Sequence, residues 1–213
     1  KEKCEDCKKK KKKNFKKFLR SFKSYYPSNF NYFDSSPEYF VDLEYYLSTF
    51  KIKKKIIYMS NDFNSKYFND NTISIHIRTW KSSSDKSTND ARAIKRNKNS
   101  LLVLNSIHKL IDMRIKENNN VKFFIAIDDF NLKEDLKRRY LERVFFYKRS
   151  KKLSSYENDF VELLLLGSSK EFIGLHGSTF SKWAWCFRKE RCQKIIMLKM
   201  IDGSINYERD IRK

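Results

Sequence analysis

The chain has 213 residues and a formal net charge of +21, which suits one domain, or one domain with an arm, and is long enough to bury a core. No apolar run approaches the roughly 20 residues that span a bilayer, so we expect a soluble chain. It begins with Lys1 rather than Met, which indicates a piece of a longer protein whose further domains would be partners. The compartment, secretory pathway or cytoplasm, depends on that parent sequence.

The basic charge would ordinarily indicate nucleic acid, an anionic membrane or another polyanion as partner. The sequence pI is near 9.7, but the lysines are spread over the whole chain and the composition is typical of an AT-rich coding sequence. No RNA- or DNA-binding fingerprint accompanies the charge. The sequence therefore favours a solvated basic surface, and we expect no nucleic-acid partner.

The four cysteines form two close pairs, Cys4 with Cys7 and Cys186 with Cys192. A C-x-x-C pair can supply half of a zinc site, but the second pair has a different spacing and no histidine lies near either pair. We therefore predict no metal site. A disulfide within either pair stays open.

The first 71 residues divide into an arm and a helical region. Residues 1–14 are charged and include six consecutive lysines, so we predict a flexible arm whose deletion leaves the melting temperature nearly unchanged. Residues 15–71 are predicted to be a helical amino-terminal region, with one helix from Phe15 and another beginning at Ser36 and Pro37. Within it, residues 56–59 are predicted to form a short strand, and residues 61–69 a helix or loop.

From residue 72 onward, apolar strands alternate with helices of amphipathic spacing. The predicted strands cover residues 72–77, 121–127, 144–147, 171–175 and 195–198, and the predicted helices cover 99–117, a segment starting at Asn131, 157–166 and 179–189. Strands that are apolar on both faces require cover on both faces. The sequence therefore predicts an α/β fold, with a Rossmann-like, mostly parallel sheet over residues 72–213. Ligands of such sheets bind at the carboxyl ends of the strands.

Three groups of polar residues follow predicted strands. His76 and Arg78 come at the end of the first strand, where a guanidinium suits a phosphate and an imidazole can bond a base or ribose. The same spacing is equally consistent with a structural histidine whose hydrogen bonds are made within the protein and an arginine on the surface.

The second group is the glycine- and hydroxyl-rich turn after the strand 171–175. It leads into a helix through Gly177, Ser178, Thr179, Phe180 and Ser181. Exposed backbone N–H groups at a helix start, aided by hydroxyls, can hold a diphosphate. An ordinary serine cap with a glycine turn is the alternative.

The third group is acidic. Asp128 and Asp129 follow the strand 121–127, and their carboxylates can accept from ribose hydroxyls. Asp159 and Glu162 lie on the helix 157–166, where either could accept from guanine N–H groups. Caps and solvated charges are the alternative reading of each.

In this order and spacing, the three groups resemble the carboxyl-terminal donor domain of the fucosyltransferase superfamily, which includes α1,2- and α1,6-fucosyltransferases and protein O-fucosyltransferases. The resemblance covers about residues 73–198 and rests on His76-Ile77-Arg78, on the strand ending in Asp128-Asp129, and on the segment from Glu162 to Phe180. It implies a donor domain of the GT-B type that transfers fucose from GDP-fucose to a glycan or protein acceptor. The transfer would be inverting, would need no metal and would use no cofactor besides the GDP-sugar.

The resemblance also implies roles for individual residues. Arg78 would hold the β-phosphate and His76 the guanosine, while Glu162 or Asp159 would read the guanine. Ser178, Thr179 and Ser181 would line the diphosphate, within the donor-binding segment that includes Gly177 and Phe180. Relatives often carry an acidic residue three positions after the arginine, where this chain has Lys81. Asp85 and Asp90 in the following polar loop are therefore the candidate catalytic bases, by proximity.

Two alternatives stay open at this stage. The same fold could take a different nucleotide-sugar, because the phosphate contacts do not read the sugar. The chain could also be a basic nucleic-acid or polyanion-binding module with a degenerate pocket, which predicts affinity that falls steeply with salt. The amino-terminal acceptor lobe would be reduced or partial, over residues 15–71.

Overall fold

The computed structural model describes residues 51–78, 91–175, 178–187, 192–198, 200–201 and 204–205, with backbone alone for 91–100, 179, 200–201 and 204–205. The chain divides into two units, residues 1–49 and 50–213, and the described part belongs to the second. The predicted arm and the helices expected from Phe15 and Ser36 lie outside the described residues. Across the ranges described, no helix is both long and apolar enough to cross a bilayer.

The centre of the second unit is a sheet of five parallel strands in the order β3-β2-β1-β4-β5. The α/β class predicted from the alternation of strands and helices is confirmed. Strand β1 lies in the middle and is buried along its whole length. The strands are β1 Thr72–Ile77, β2 Lys122–Ile127, β3 Val144–Phe145, β4 Glu171–Leu175 and β5 Lys194–Leu198.

Within the described ranges, five helices accompany the sheet: α1 Lys54–Tyr67, α2 Ala91–Glu117, α3 Phe130–Tyr140, α4 Ser155–Leu166 and α5 Thr179–Cys186. A short 3-10 turn, Leu141–Arg143, joins α3 to β3. After β5, the two-residue strands β6 (Met200–Ile201) and β7 (Ser204–Ile205) form an antiparallel pair that the sequence did not predict.

Helices α2 and α3 cover one face of the sheet. Apolar residues of α2, among them Ile107 and Ile111, pack with Leu136 of α3 against the odd-numbered side chains of β1 and β2 in one core cluster. Those helix residues are fully buried. Burial of such side chains contributes about 1.5–3 kcal/mol each to folding, so this face anchors the domain.

Helices α1, α4 and α5 cover the other face. Phe63 of α1 lies edge-on to Phe124 of β2, with ring centroids 6.0 Å apart. The hydroxyl of Ser74 in β1 donates to the carbonyl oxygen of Leu165 in α4, at 3.5 Å. Cover on both faces explains why the central strands read as continuous apolar runs.

Helix α4 begins with a capping box. The Ser154 hydroxyl accepts from the Glu157 backbone N–H, and the Glu157 carboxylate accepts from the Ser154 N–H. The same carboxylate receives Lys53 and Lys55, which lie before and at the start of α1. Hydrogen bonds from these two lysines lower the pKa of Glu157 to about 2. This contact joins α1 to α4.

The predicted strand at residues 56–59 is wrong, because this segment is part of α1. Ile56 and Ser60, four residues apart, are buried, whereas Ile57 and Tyr58 are exposed. A strand would instead have buried alternate residues. The helical spacing was not recognisable in the sequence, because the exposed Ile57 and Tyr58 are apolar like the buried Ile56.

Other boundaries differ by a few residues. Helix α2 begins at Ala91 rather than near residue 99, and β3 ends at Phe145. Helix α3 begins at Phe130 with Asp129 as its cap, one residue earlier than the start expected at Asn131. The boundary between the two compact units lies between residues 49 and 50, so α1 belongs to the same unit as the sheet. The acceptor lobe expected over residues 15–71 stays a prediction.

Gly174 of β4 lets α5 lie directly on the sheet. A Cβ at this position would approach the Met197 sulfur to 2.8 Å, the Phe172 ring to 2.9 Å and the Ser181 Cβ to 3.0 Å. We expect Gly174→Ala to lower the free energy of unfolding by about 1 kcal/mol, because the Met197 side chain can yield but the Ser181 Cβ cannot. Urea unfolding measures this loss, and wild-type stability would contradict the close approach.

Candidate functional site at the switch point of the sheet

The sheet has a topological switch point between β1 and β4. From β1 the chain proceeds outward through β2 to β3, and then returns to place β4 and β5 on the other side. Pairing between β1 and β4 ends at Ile75 and Ile173, whereas β1 stays paired with β2 as far as Ile77. The two central strands therefore part at their carboxyl ends. In open parallel sheets a crevice at this place holds the ligand.

His76 and Ser181 meet where β1 and β4 part. Nδ1 of His76 lies 2.6 Å from the Ser181 hydroxyl, which also accepts from the Leu175 backbone N–H at 2.9 Å. Both side chains are buried. The Phe180 ring lies against the imidazole, 5.0 Å between centroids. The Ser181 side chain thus links β1 to β4, through His76 and Leu175, beyond the point where the backbone pairing of the two strands ends.

The His76 imidazole is neutral over the physiological range. Burial, with a smaller contribution from the charge of Arg78, lowers its pKa to about 3. The ring can therefore donate one hydrogen bond and accept one, but it cannot supply positive charge to a phosphate.

Arg78 brings a positive charge to the crevice. It follows the last residue of β1, its side chain is about half exposed, and its guanidinium lies 2.6 Å from an Asp128 carboxylate oxygen after β2. The structure thus joins two residues that the sequence assigned to separate roles. Since a guanidinium has five N–H donors, the pairing aims the group and leaves donors for an anion.

Helix α5 starts at the same edge, since it follows β4 directly. Ser178 caps it by accepting from the Ser181 backbone N–H at 3.4 Å. Helix starts carry N–H groups without intrahelical partners and a partial positive charge. This end can therefore hold an anion at the same edge of the sheet as Arg78.

Asp129 serves α3 as its amino-terminal cap. One carboxylate oxygen accepts from the backbone N–H groups of Asn131 and Leu132, at 3.0 and 3.2 Å. That oxygen is therefore engaged in capping the helix. Contact of Asp129 with a ribose stays a prediction.

Asp159 and Glu162 lie one turn apart on α4 in different surroundings. Asp159 pairs with Arg149, whereas Glu162 is half-buried and has no hydrogen bond to any described residue. Burial raises the pKa of Glu162 to about 7, against the attraction of Arg149 and Lys133. Lys133 lies near the start of α3, and Arg149 lies in the loop before α4. Of the two candidates, Glu162 has the acceptors available.

The remaining predicted site residues lie outside the described part. They are Asp85, Asp90 and Gly177, together with the side chain of Thr179. Arg149, which contacts both Asp159 and Ser155, was not predicted. In a chain with 47 lysines and arginines, one basic residue in a loop gives no sequence signal.

The second cysteine pair lies within the described residues. Cys186 and Cys192 are not joined by a disulfide. Among the described residues, no three His, Cys, Asp or Glu side chains converge in a way that could hold a metal ion. Cys4 and Cys7 lie outside this part of the chain.

Of the comparisons with known proteins, the one with solved structures finds similar chains. No family model matches the chain, and no curated protein matches it. Similar solved structures include selenomethionine fucosyltransferase NodZ from Bradyrhizobium, with TM-score 0.49, 15% identity, and 76% of this chain on 49% of that one. Another is NodZ α-1,6-fucosyltransferase soaked with GDP-fucose, with TM-score 0.46, 14% identity, and 70% of this chain on 46% of that one. The chain spans about half the length of these structures.

Proposed function

We propose that this chain carries the donor-binding domain of a glycosyltransferase that takes a GDP-sugar, GDP-fucose by the resemblance of its motifs. The acceptor is a glycan or a protein. The observation that carries the proposal is the convergence of Arg78, His76 and the start of α5 at the switch point of a parallel sheet. A guanidinium held by Asp128 and a capped helix start, at the carboxyl ends of neighbouring strands, suit a diphosphate.

The chemistry that fits these groups is a displacement at the anomeric carbon. An acceptor hydroxyl forms a new bond to that carbon as the bond from the carbon to the β-phosphate oxygen breaks, and the electron pair leaves with GDP. Attack from the face opposite the leaving group inverts the configuration. The positive charges of Arg78 and of the α5 start stabilise the charge that develops on the phosphate.

The proton of the acceptor hydroxyl needs a base. Asp85 and Asp90 are the candidates, as the acidic residues of the loop that follows Arg78. In this proposal no metal takes part, because Arg78 and the helix start supply the positive charge that the leaving diphosphate requires.

Selection of guanine falls to Glu162. A carboxylate offers two acceptor oxygens, which match the N1–H and amino donors on the edge of guanine. Uracil has no such pair of adjacent donors. Glu162 is half-buried with no hydrogen bond to any described residue, so its oxygens are available to a base.

A thermal-shift panel of GDP, GDP-fucose, GDP-mannose, UDP and UDP-galactose tests the proposal on the wild-type chain. A ligand at a hundred times its dissociation constant stabilises a protein by about 2.7 kcal/mol. We expect GDP and GDP-fucose to raise the melting temperature and the uridine nucleotides to have little effect.

Each other outcome of the panel selects an alternative. A response to UDP equal to that of GDP would contradict the guanine assignment and leave a donor site for other sugars. No response to any nucleotide, with tight binding of a polyanion such as heparin that weakens steeply with salt, would favour the basic binding module.

A further inference from the structure

The hydrogen-bond geometry of Ser181 determines which nitrogen of His76 carries the proton. Ser181 is fully buried in the first turn of α5, and its hydroxyl oxygen has two partners, the Leu175 backbone N–H and Nδ1 of His76. A backbone N–H can only donate, so the hydroxyl oxygen accepts there. The hydroxyl hydrogen is left for the second partner.

Nδ1 of His76 must accept that hydrogen. Among the described residues, the Ser181 hydroxyl has no other acceptor, so a proton on Nδ1 would leave a fully buried hydroxyl hydrogen without a partner. Such a group carries the full cost of its lost hydration. With Nδ1 as acceptor, the proton of the neutral ring lies on Nε2.

Two further contacts hold the ring. Phe180 packs against it at 5.0 Å and 44°, and burial keeps it from taking a second proton. Nε2 has no hydrogen-bond partner within the described ranges. The remaining donor of His76 is thus a single N–H, two residues from the guanidinium that binds Asp128.

We propose that Ser181 is a positioning residue that fixes His76 as the Nε2–H tautomer, so that the ring presents a neutral donor to an oxygen of the bound nucleotide. The inference about the ligand rests on the proposed function, whereas the tautomer does not. A neutral donor selects an oxygen acceptor beside the phosphates without competing with Arg78 for charge. In this role Ser181 acts through His76 rather than on the diphosphate itself.

Nitrogen-15 NMR of the wild-type ring tests the tautomer directly. In a long-range proton–nitrogen spectrum, we expect Nδ1 of His76 to have an acceptor-type shift and Nε2 an N–H-type shift. The signals are assigned by their loss in His76→Asn. A protonated Nδ1 would overturn the proposal, whether or not the protein binds GDP.

Ser181→Ala tests the coupling. We expect the fixed tautomer to give way to a mixture and the dissociation constant for GDP to rise about fivefold. Ser181→Thr retains the hydroxyl and should restore the wild-type spectrum. If the threonine variant does not fold in the narrow space beside Gly174, the wild-type spectrum still decides the tautomer.

Ser169→Ala is the matched control. Its hydroxyl is also fully buried and also has two partners, accepting from the Ser74 N–H at 3.2 Å and donating to the Glu171 carbonyl at 2.6 Å. It lies at the amino end of β4, away from His76. We expect a similar loss of stability with an unchanged spectrum and GDP affinity. Equal effects of both variants on GDP binding would overturn the positioning role.

A wild-type protein with the Nε2–H tautomer but no affinity for GDP would refute the proposed function alone. GDP binding by a protein with a protonated Nδ1 would refute the positioning role alone. The two proposals therefore fail separately.

Discussion

Arg78→Ala should lower the affinity for GDP by about 2 kcal/mol or more, roughly thirtyfold, because a charge-assisted contact to phosphate is lost. The fold should persist, since Arg78 follows β1, is half exposed and contributes to an ion pair rather than to the core. The GDP affinity of Arg78→Lys should lie between those of the wild type and Arg78→Ala, because lysine keeps the charge but lacks the planar guanidinium. Isothermal titration with GDP measures all three proteins.

Arg139→Ala is the matched control for this experiment. Arg139 is exposed to a similar degree and also pairs with one aspartate, Asp112, at 2.9 Å. It lies near the end of α3, so its removal changes the net charge equally without touching the crevice. Equal losses of affinity in the two alanine variants would mean that GDP binding depends on the net charge of the protein rather than on a specific contact, and would support the polyanion-binding alternative.

Glu162→Gln should weaken GDP binding by about 2 kcal/mol at pH 8 and leave the binding of UDP unchanged. The amide retains one acceptor but turns a donor toward a guanine N–H, and the charge that strengthens both bonds is lost. Titration of both nucleotides at pH 6 and pH 8 checks this expectation. In the wild type, preference for GDP should increase with pH, since the carboxylate is the form that accepts both bonds.

The same substitution should stabilise the unliganded protein at high pH. The pKa of Glu162 is about 7 in the folded state against 4.5 as the ordinary value, so folding opposes its ionisation and stability falls as pH rises through this window. We expect Glu162→Gln to be more stable than wild type by about 1–2 kcal/mol at pH 8, a value reduced for partial exposure, and equally stable at pH 4.5. Urea unfolding measures the difference.

Glu142→Gln, on the exposed 3-10 turn, is the control for net charge. A pH-dependent gain in this variant equal to that of Glu162→Gln would contradict the assignment of the effect to burial. A gain in stability together with a loss of GDP affinity would indicate that the carboxyl is kept for binding at a cost to folding.

The sheet was predictable because its strands are apolar on both faces and short, and its helices are amphipathic. Strand 171–175 was predicted with the bounds that the structure has. The first half of helix α1 was predicted to be a strand, because Ile57 and Tyr58 are exposed apolar residues that mask its period. The pair β6 and β7 was missed, since two-residue strands leave too short a pattern to detect.

The site was predictable in its members but not in their partners. Sequence order indicated that His76, Arg78 and Ser181 meet at one edge. It did not show that His76 bonds Ser181 or that Arg78 bonds Asp128, because such pairs depend on which strands become neighbours. Glu162 could not be separated from Asp159, since that choice depends on burial and on Arg149.

The order of strands in the sheet also constrains the course of folding. His76 and Ser181 are 105 residues apart in the chain, and they meet only when β4 adds to the free edge of β1. Strands β1 to β3 can pair before that, and would then expose an apolar edge with unpaired backbone groups. The step that covers this edge also builds the crevice. Slow addition of β4 would therefore leave an intermediate that lacks the crevice and is prone to aggregation.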